Sequence, residues 1–213
     1  MLLKQEREDI VKYGNKMIEQ GLTTGSGGNI SVFNREKGLI ALSPSSMHYT
    51  DVVPEDVIVI DLEGNIVAGK RSPSTEISMH LMVYKHRRDV NSVVHTHSIY
   101  ATAVACMGWN LEPVHYMLAI AGPVVKCSKY ELYGTEGLAH YALEALGNNG
   151  ACLLGNHGLL AASATLEKAF SIAEHLEYVA HLHVLTKGLG TPNILTQEQM
   201  AAVMDKFGTN PYK

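Results

Sequence analysis

The chain has 213 residues, 46% of them hydrophobic and 18% charged, which suits one compact domain with a sizeable core and excludes long disorder. Its formal net charge of −4 points to neither nucleic acid nor an anionic membrane surface as a partner. A small anionic substrate stays open, because local dipoles decide what a pocket binds.

The opening residues, MLLKQERED, place only two leucines before their charges, which is not the pattern of a secretory leader. The apolar stretches Val114–Val125 and Ala151–Ala162 are too short, or too broken by Gly and His, to span a bilayer. Cys106, Cys127 and Cys152 are odd in number and lack metal-type spacing. They read as reduced, mostly buried thiols, and the whole as a cytoplasmic protein.

No repeat, low-complexity tract or long linker divides the chain. A first helix is expected from Leu3 to Gln20, with Leu3, Ile10, Tyr13, Met17 and Ile18 on one face and Gly21 as its stop. Short strands follow at Ile30–Phe33 and Leu39–Leu42. Val57–Asp61 reads as a strand that Glu63-Gly64-Asn65 turns into a partner at Ile66–Ala68. Ile77, Leu81 and Tyr84 have helical spacing, with Ser74 or Thr75 as N-cap. Three β-rich runs come next, at Ser92–Thr96, Val124–Cys127 and Ala151–Leu154. A helix over Glu136–Leu146 separates the last two, and a long helix runs over Leu166–Lys187. Interleaved helices and strands predict an α/β class with helices packed on a sheet. The hairpin at Glu63–Asn65 says that the sheet is not purely parallel, and strand order stays open.

The chain holds 11 histidines, and the question is which of them converge. His95-Thr96-His97 falls on an expected strand, where residues i and i+2 share a face and both imidazoles reach one ion. His181-Leu182-His183 has the same letters but falls on an expected helix, where i and i+2 are roughly 200° apart. That pair cannot share an ion. His157, in Gly155-Asn156-His157-Gly158, follows an apolar strand and has small neighbours that leave room for a metal or a substrate. Standing alone, it reads first as a turn histidine bonded to the backbone. Glu76 is the candidate carboxylate, and its alternative role is to favour a helix N-terminus. His48, His80, His86, His115, His140 and His175 have no partner at ligand spacing and read as surface or packing residues. Three neutral histidines with one open position make a catalytic zinc site.

Gly25-Ser26-Gly27-Gly28-Asn29 is neither a P-loop nor a dinucleotide fingerprint, since no Gly-Lys-Ser/Thr follows and it leads into a strand. It still offers unobstructed backbone N–H groups of the kind that hold phosphate. Ser43-Pro44-Ser45-Ser46 and Ser72-Pro73-Ser74-Thr75 are further hydroxyl-bearing turns, the second opening a helix.

Taken together and in this order, Gly-Ser-Gly-Gly-Asn, Ser-Pro-Ser-Ser, Pro-Ser-Thr-Glu, Val-Val-His-Thr-His and Gly-Asn-His-Gly resemble the class II aldolase/epimerase family over nearly the whole chain. Val114–Gly122 is most similar to the branch of it that cleaves L-fuculose phosphate. The resemblance implies one catalytic domain over residues 1–213. Its fold would be α/β in three layers, a central, largely antiparallel β-sheet flanked by helices. It would assemble as a homotetramer with active sites at subunit interfaces. The resemblance further implies one Zn2+ per subunit on His95, His97 and His157. Glu76 would serve as general acid/base and occupy the metal's open position when substrate is absent. Gly28, Asn29, Ser45, Ser46, Ser74 and Thr75 match positions that bind phosphate and substrate. Tyr116 matches a tyrosine acting from the neighbouring subunit, and Tyr212 a second, mobile one.

The implied reaction is reversible retro-aldol cleavage of L-fuculose 1-phosphate, a small phosphorylated ketose, to dihydroxyacetone phosphate and L-lactaldehyde. Ser45-Ser46 departs from the more frequent Thr-Gly, and Ser26-Gly27 from a more frequent Ala or Thr. A pentulose-phosphate 4-epimerase of the same superfamily would show Asp at position 76 and an acid within His115–Gly122, and this chain has neither. A methylthioribulose-phosphate dehydratase shares the histidines but not His-Tyr-Met-Leu-Ala. A non-catalytic binding module of this fold would lack the metal ligands.

Overall fold

The computed structural model describes residues 1–208. Helix α1 (Lys4–Glu19) follows its apolar stripe, with Ile10 and Met17 fully buried. Gly21, at φ 67°, ends it in a Schellman turn in which Gly21 N–H donates to the Ile18 carbonyl and Leu22 N–H to that of Met17. Strands β1 (Asn29–Asn34), β2 (Leu39–Leu42), β3 (Ile58–Ile60) and β4 (Ile66–Ala68) follow. Asp61 organises the β3–β4 turn by accepting from the backbone N–H groups of Glu63 and Asn65. The other elements are α2 (Ile77–His86), β5 (Ser92–Thr96), α3 (Ile99–Cys106), α4 (Glu136–Leu146), β6 (Ala151–Leu154), β7 (Gly158–Ser163), α5 (Leu166–Leu189) and α6 (Gln197–Phe207).

The described strands form one seven-stranded sheet in the order β4-β3-β2-β1-β5-β7-β6, and every pairing of these strands is antiparallel. The pleat sends Val94, Leu153, Leu159 and Ala161 into a core shared with α1, α3 and α5. Val93, Cys152, Leu154 and Leu160 face the opposite way, under α2 and α4. Helices on both faces explain why β6 and most of β7 are apolar runs rather than alternating ones, and why β5 is buried throughout. Leu159 and Leu160 are fully buried on opposite faces, and truncating either to Ala is expected to cost about 2–5 kcal/mol. This is the three-layer α/β architecture expected from the sequence.

Several local expectations are corrected. Val124–Cys127 is not a strand of the sheet. It makes isolated bridges to Leu111 and Leu153, running beside β6 and covering its free edge, where Leu153 N–H donates to the Lys126 carbonyl and Ser128 N–H, one residue on, donates to that of Leu153. The N-cap of α2 is Glu76, with no side-chain cap bond, rather than Ser74 or Thr75. Ser74 Oγ does accept from Glu76 N–H, but Asn29 also donates to that oxygen. Cys106 is exposed and only Cys152 is fully buried. Helices α3 and α6 and strand β7 lie beyond the sequence expectations. At α3 the Glu177 carboxylate, reaching from α5, accepts from the N–H groups of Tyr100 and Ala101, while α6 opens on a capping box of Thr196 and Gln199. No helix of the described residues is long and apolar enough to cross a membrane.

Candidate metal centre and its cavity

The centre lies where the end of β5 meets the start of β1 and the β6–β7 turn. His95 sits opposite Asn29 of β1 and Leu160 of β7, with its side chain fully buried. His97 comes one residue past β5 but keeps the pleat, so the two Nε2 atoms lie 3.0 Å apart. The three-residue turn from β6 to β7, with Asn156 at φ 55°, presents His157 Nε2 3.2 Å from His95 Nε2. Glu76, at the start of α2, places Oε2 3.3 Å from His95 Nε2 and Oε1 3.2 Å from His157 Nε2. Two glycines permit this convergence. A Cβ on Gly28, which is at φ 68°, would overlap the His95 carbonyl oxygen, and one on Gly158 that of Thr96.

The ligand atoms of Glu76, His95, His97 and His157 all lie within 4.8 Å of one another. His95 Nε2 lies 3.0 Å from His97 Nε2, 3.2 Å from His157 Nε2 and 3.3 Å from Glu76 Oε2, close to the roughly 3.3–3.4 Å edge of a tetrahedron with bonds of about 2.0–2.1 Å. The His95 Nδ1–H donates to the Leu159 carbonyl at 2.9 Å, leaving its Nε2 lone pair aimed at the centre. Burial, then the neighbouring His95, pushes His97 and His157 down to about 4, so both offer neutral imidazoles at neutral pH. Burial acts to lower His95, but the Glu76 carboxylate outweighs it and raises it. Burial acts to raise Glu76, and His95, His157 and the Asn29 hydrogen bond together hold it well below the usual carboxylate range. Glu76 Oε1 is buried and accepts no hydrogen bond, as a ligand oxygen would. The group is a metal-binding site, and three imidazoles with one carboxylate suit zinc.

A cavity of about 460 Å3 opens from the centre. Of the residues singled out from sequence, Gly28, Asn29, Ser45, Ser46, Ser74, Thr75, Glu76, His97 and His157 border it, and His95 lies behind them. No Lys or Arg is among its described lining residues, which carry the hydroxyls of Ser26, Ser45, Ser46, Ser74 and Thr75 beside the carboxylates of Glu76 and Glu131. Tyr130, Glu131 and Tyr133 also border it. They precede α4 on a loop with no distinguishing spacing or motif, which is why sequence reasoning missed them. Tyr116 is not brought to this cavity within the chain. It stands in a short 3-10 turn, 48% exposed, near Phe207. Tyr212 lies outside the described residues.

The remaining histidines divide as geometry requires, with one exception. His181 stacks on Tyr100 and His183 packs toward Trp109, so the helical pair shares nothing. His80, expected as a surface or packing residue, is buried and bonded to Asn29 and Ser31. Its spacing of four from Glu76 on one helix was the available signal. A larger hollow of about 710 Å3, bordered by Arg87, Lys168 and His175, holds none of the four clustered side chains.

Residues 8–184 match the model of the Class II Aldolase and Adducin N-terminal domain. The chain is 48% identical over 207 residues to 5-deoxy-D-ribulose 1-phosphate aldolase of Bacillus thuringiensis serovar kurstaki, covering 97% of each. It is 36% identical over 196 residues to L-fuculose phosphate aldolase of Escherichia coli K12, covering 91% of this chain and 90% of that one. A solved structure of L-fuculose 1-phosphate aldolase superposes with a TM-score of 0.95 at 42% identity, over 98% of both chains.

Proposed function

Because the chain belongs to the class II aldolase family, whose members are metal-dependent, we propose that it is a zinc-dependent aldehyde-lyase acting on a small deoxyketose 1-phosphate. The reading put first is reversible cleavage of the C3–C4 bond of 5-deoxy-D-ribulose 1-phosphate to dihydroxyacetone phosphate and acetaldehyde, supported by the 48% identical relative. Cleavage of L-fuculose 1-phosphate to dihydroxyacetone phosphate and L-lactaldehyde is the second, supported by Val114–Gly122 and by the 42% identical structure. The observation that carries both is the Glu76, His95, His97 and His157 cluster set in a cavity lined by serine and threonine hydroxyls and small-residue turns.

His95, His97 and His157 would hold the zinc. A bound zinc ion supplies Lewis acidity that stabilises negative charge on the ketose oxygens. The phosphate would sit against Gly28, Ser45, Ser46, Ser74 and Thr75, neutral groups that bind through oriented dipoles, with the Asn29 amide beside them bonded to Ser74 and Glu76. As the C3–C4 bond breaks, Glu76 delivers a proton to C3, and it removes that proton in the condensation direction. In condensation, Tyr116 of a neighbouring subunit would act as an acid that protonates the aldehyde oxygen as it becomes the C4 hydroxyl, and in cleavage its phenolate would take that proton back. The active unit is then an oligomer, a homotetramer in this reading, with each site completed across an interface.

The test measures dihydroxyacetone phosphate release, coupled to NADH oxidation, from the 1-phosphates of 5-deoxyribulose, fuculose, rhamnulose and ribulose. Cleavage of 5-deoxyribulose 1-phosphate with the highest kcat/KM, abolished by chelation and restored by Zn2+, is expected. Preference for fuculose 1-phosphate would shift the assignment to the second reading. No release from any of the four would overturn the aldolase assignment.

A further inference from the structure

Behind Glu76 stands a polar ladder whose far rungs, Ser31, His80 and Tyr84, the chemistry above leaves unused. Glu76, His80 and Tyr84 are spaced by four along α2 and its start, while Asn29 and Ser31 are spaced by two along β1. Four helical residues advance about 6 Å and two strand residues about 6.6–6.8 Å, so the two rows meet rung by rung. Asn29 Nδ2 is 2.8 Å from Glu76 Oε2 and 3.0 Å from Ser74 Oγ. Asn29 Oδ1 meets His80 Nε2. Ser31 Oγ is 2.6 Å from His80 Nδ1 and 2.6 Å from the Tyr84 hydroxyl. None of these six side chains belongs to a residue more than 7% exposed.

Donor and acceptor chemistry then dictates where every proton lies. An ionised carboxylate only accepts, so the Asn29 atom facing Glu76 must be the amide nitrogen. The amide oxygen therefore faces His80, and it too only accepts. His80 Nε2 must carry the hydrogen, and in the neutral ring Nδ1 must accept. Ser31 O–H donates to Nδ1, and Tyr84 O–H donates to Ser31. The protons run in one direction, from Tyr84 to Glu76. Burial lowers His80 to about 3, consistent with a neutral ring.

We propose that His80 is a positioning residue, which pins the Asn29 amide with its N–H toward Glu76 and so holds that carboxylate in place. Were Asn29 reversed, its oxygen would face the carboxylate oxygen at 2.8 Å, where no hydrogen bond forms. Removing the His80 N–H frees the amide oxygen and lets both orientations compete. The orientation of Asn29 stands on geometry alone, whereas its effect on turnover rests on the aldolase reading, and the two are tested separately.

Imidazole 15N NMR of the intact zinc-loaded protein, with His80 assigned by its loss in His80→Gln, should show the Nε2–H tautomer throughout about pH 5 to 9. An Nδ1–H tautomer would overturn the proposal whatever the enzyme's substrate. In turnover, His80→Leu should keep zinc and lose about 10–100-fold in kcat, the scale seen for supporting hydrogen bonds around metal sites. His80→Gln, whose amide N–H reaches toward the place of Nε2–H, should recover most of that loss. Equal activity of the two variants, whether impaired or normal, would reduce His80 to packing. If the Leu variant fails to fold, the tautomer of the unaltered protein still decides.

Discussion

Replacing Glu76 by Gln exchanges one oxygen for NH2 at almost constant volume, which separates charge and proton transfer from shape. In the structure Oε2 accepts from Asn29 at 2.8 Å and Oε1 lies 3.2 Å from His157 Nε2. Asn29 can only donate there, so the Gln carbonyl oxygen must take the Oε2 place and its NH2 the Oε1 place. An amide nitrogen offers no lone pair to a cation, so the centre falls to three imidazoles. That is the ligand number of a catalytic zinc with an open position, and zinc is expected to stay near one per chain. Loss of the general acid/base at C3 should cost about 10²–10⁴ in rate, or about 2.7–5.4 kcal/mol at about 1.36 per tenfold. The assay is dihydroxyacetone phosphate release alongside metal analysis. Solvent-deuterium exchange at C3 of dihydroxyacetone phosphate, which needs only that proton transfer, should fall by a similar factor. Turnover within about threefold of the parent, with zinc retained, would refute the acid/base role; the loss expected of one is at least about 10².

Three further outcomes are expected. His95→Ala, His97→Ala and His157→Ala should each lose metal and activity while His181→Ala keeps its metal, because His181 stacks on Tyr100 away from the cluster. Normal zinc content in His157→Ala, by elemental analysis, would contradict the three-histidine site. Tyr116→Phe should assemble and bind zinc yet cleave slowly, with C3 exchange much less affected, and mixing it with Glu76→Gln subunits should restore some activity. No recovery in demonstrably mixed oligomers, or a fully active monomer, would sink the shared site. The acid limb of stability supplies the last test. His80 titrates near 6.5 when unfolded and near 3 in the fold, so the unfolded chain binds more protons across that window and stability falls as pH drops through it. The slope from this one residue is about 1.4 kcal/mol per pH unit. Urea unfolding of His80→Gln should lose that contribution, and an unchanged slope would show that His80 is protonated alike in both states.

What the sequence determined by itself was whatever depends on neighbours within a turn or a hairpin. The stripe of Leu3, Ile10, Tyr13 and Met17 specified α1, and Glu136–Leu146 was legible as α4 to the residue, because helical periodicity and caps act over three or four positions. The identical patterns at His95–His97 and His181–His183 could be told apart because strand and helix turn their side chains differently. Val124–Cys127 misled because β propensity reports a segment that fits a sheet edge, not whether a ladder continues there. β7 was hidden in the apolar run after His157, where period alone does not say that the chain turns back. Only the tertiary structure decided whether His157 reaches a pair some 60 residues away (3.2 Å from His95), because that rests on β5–β7 pairing and on a three-residue turn. It likewise decided that the Glu76 carboxylate leaves its helix end uncapped for the histidines, and that His80 stands behind it through Asn29. Ligand convergence and proton direction are properties of packed neighbours, and the chain acquires those neighbours only when the strands pair and α2 settles on β1.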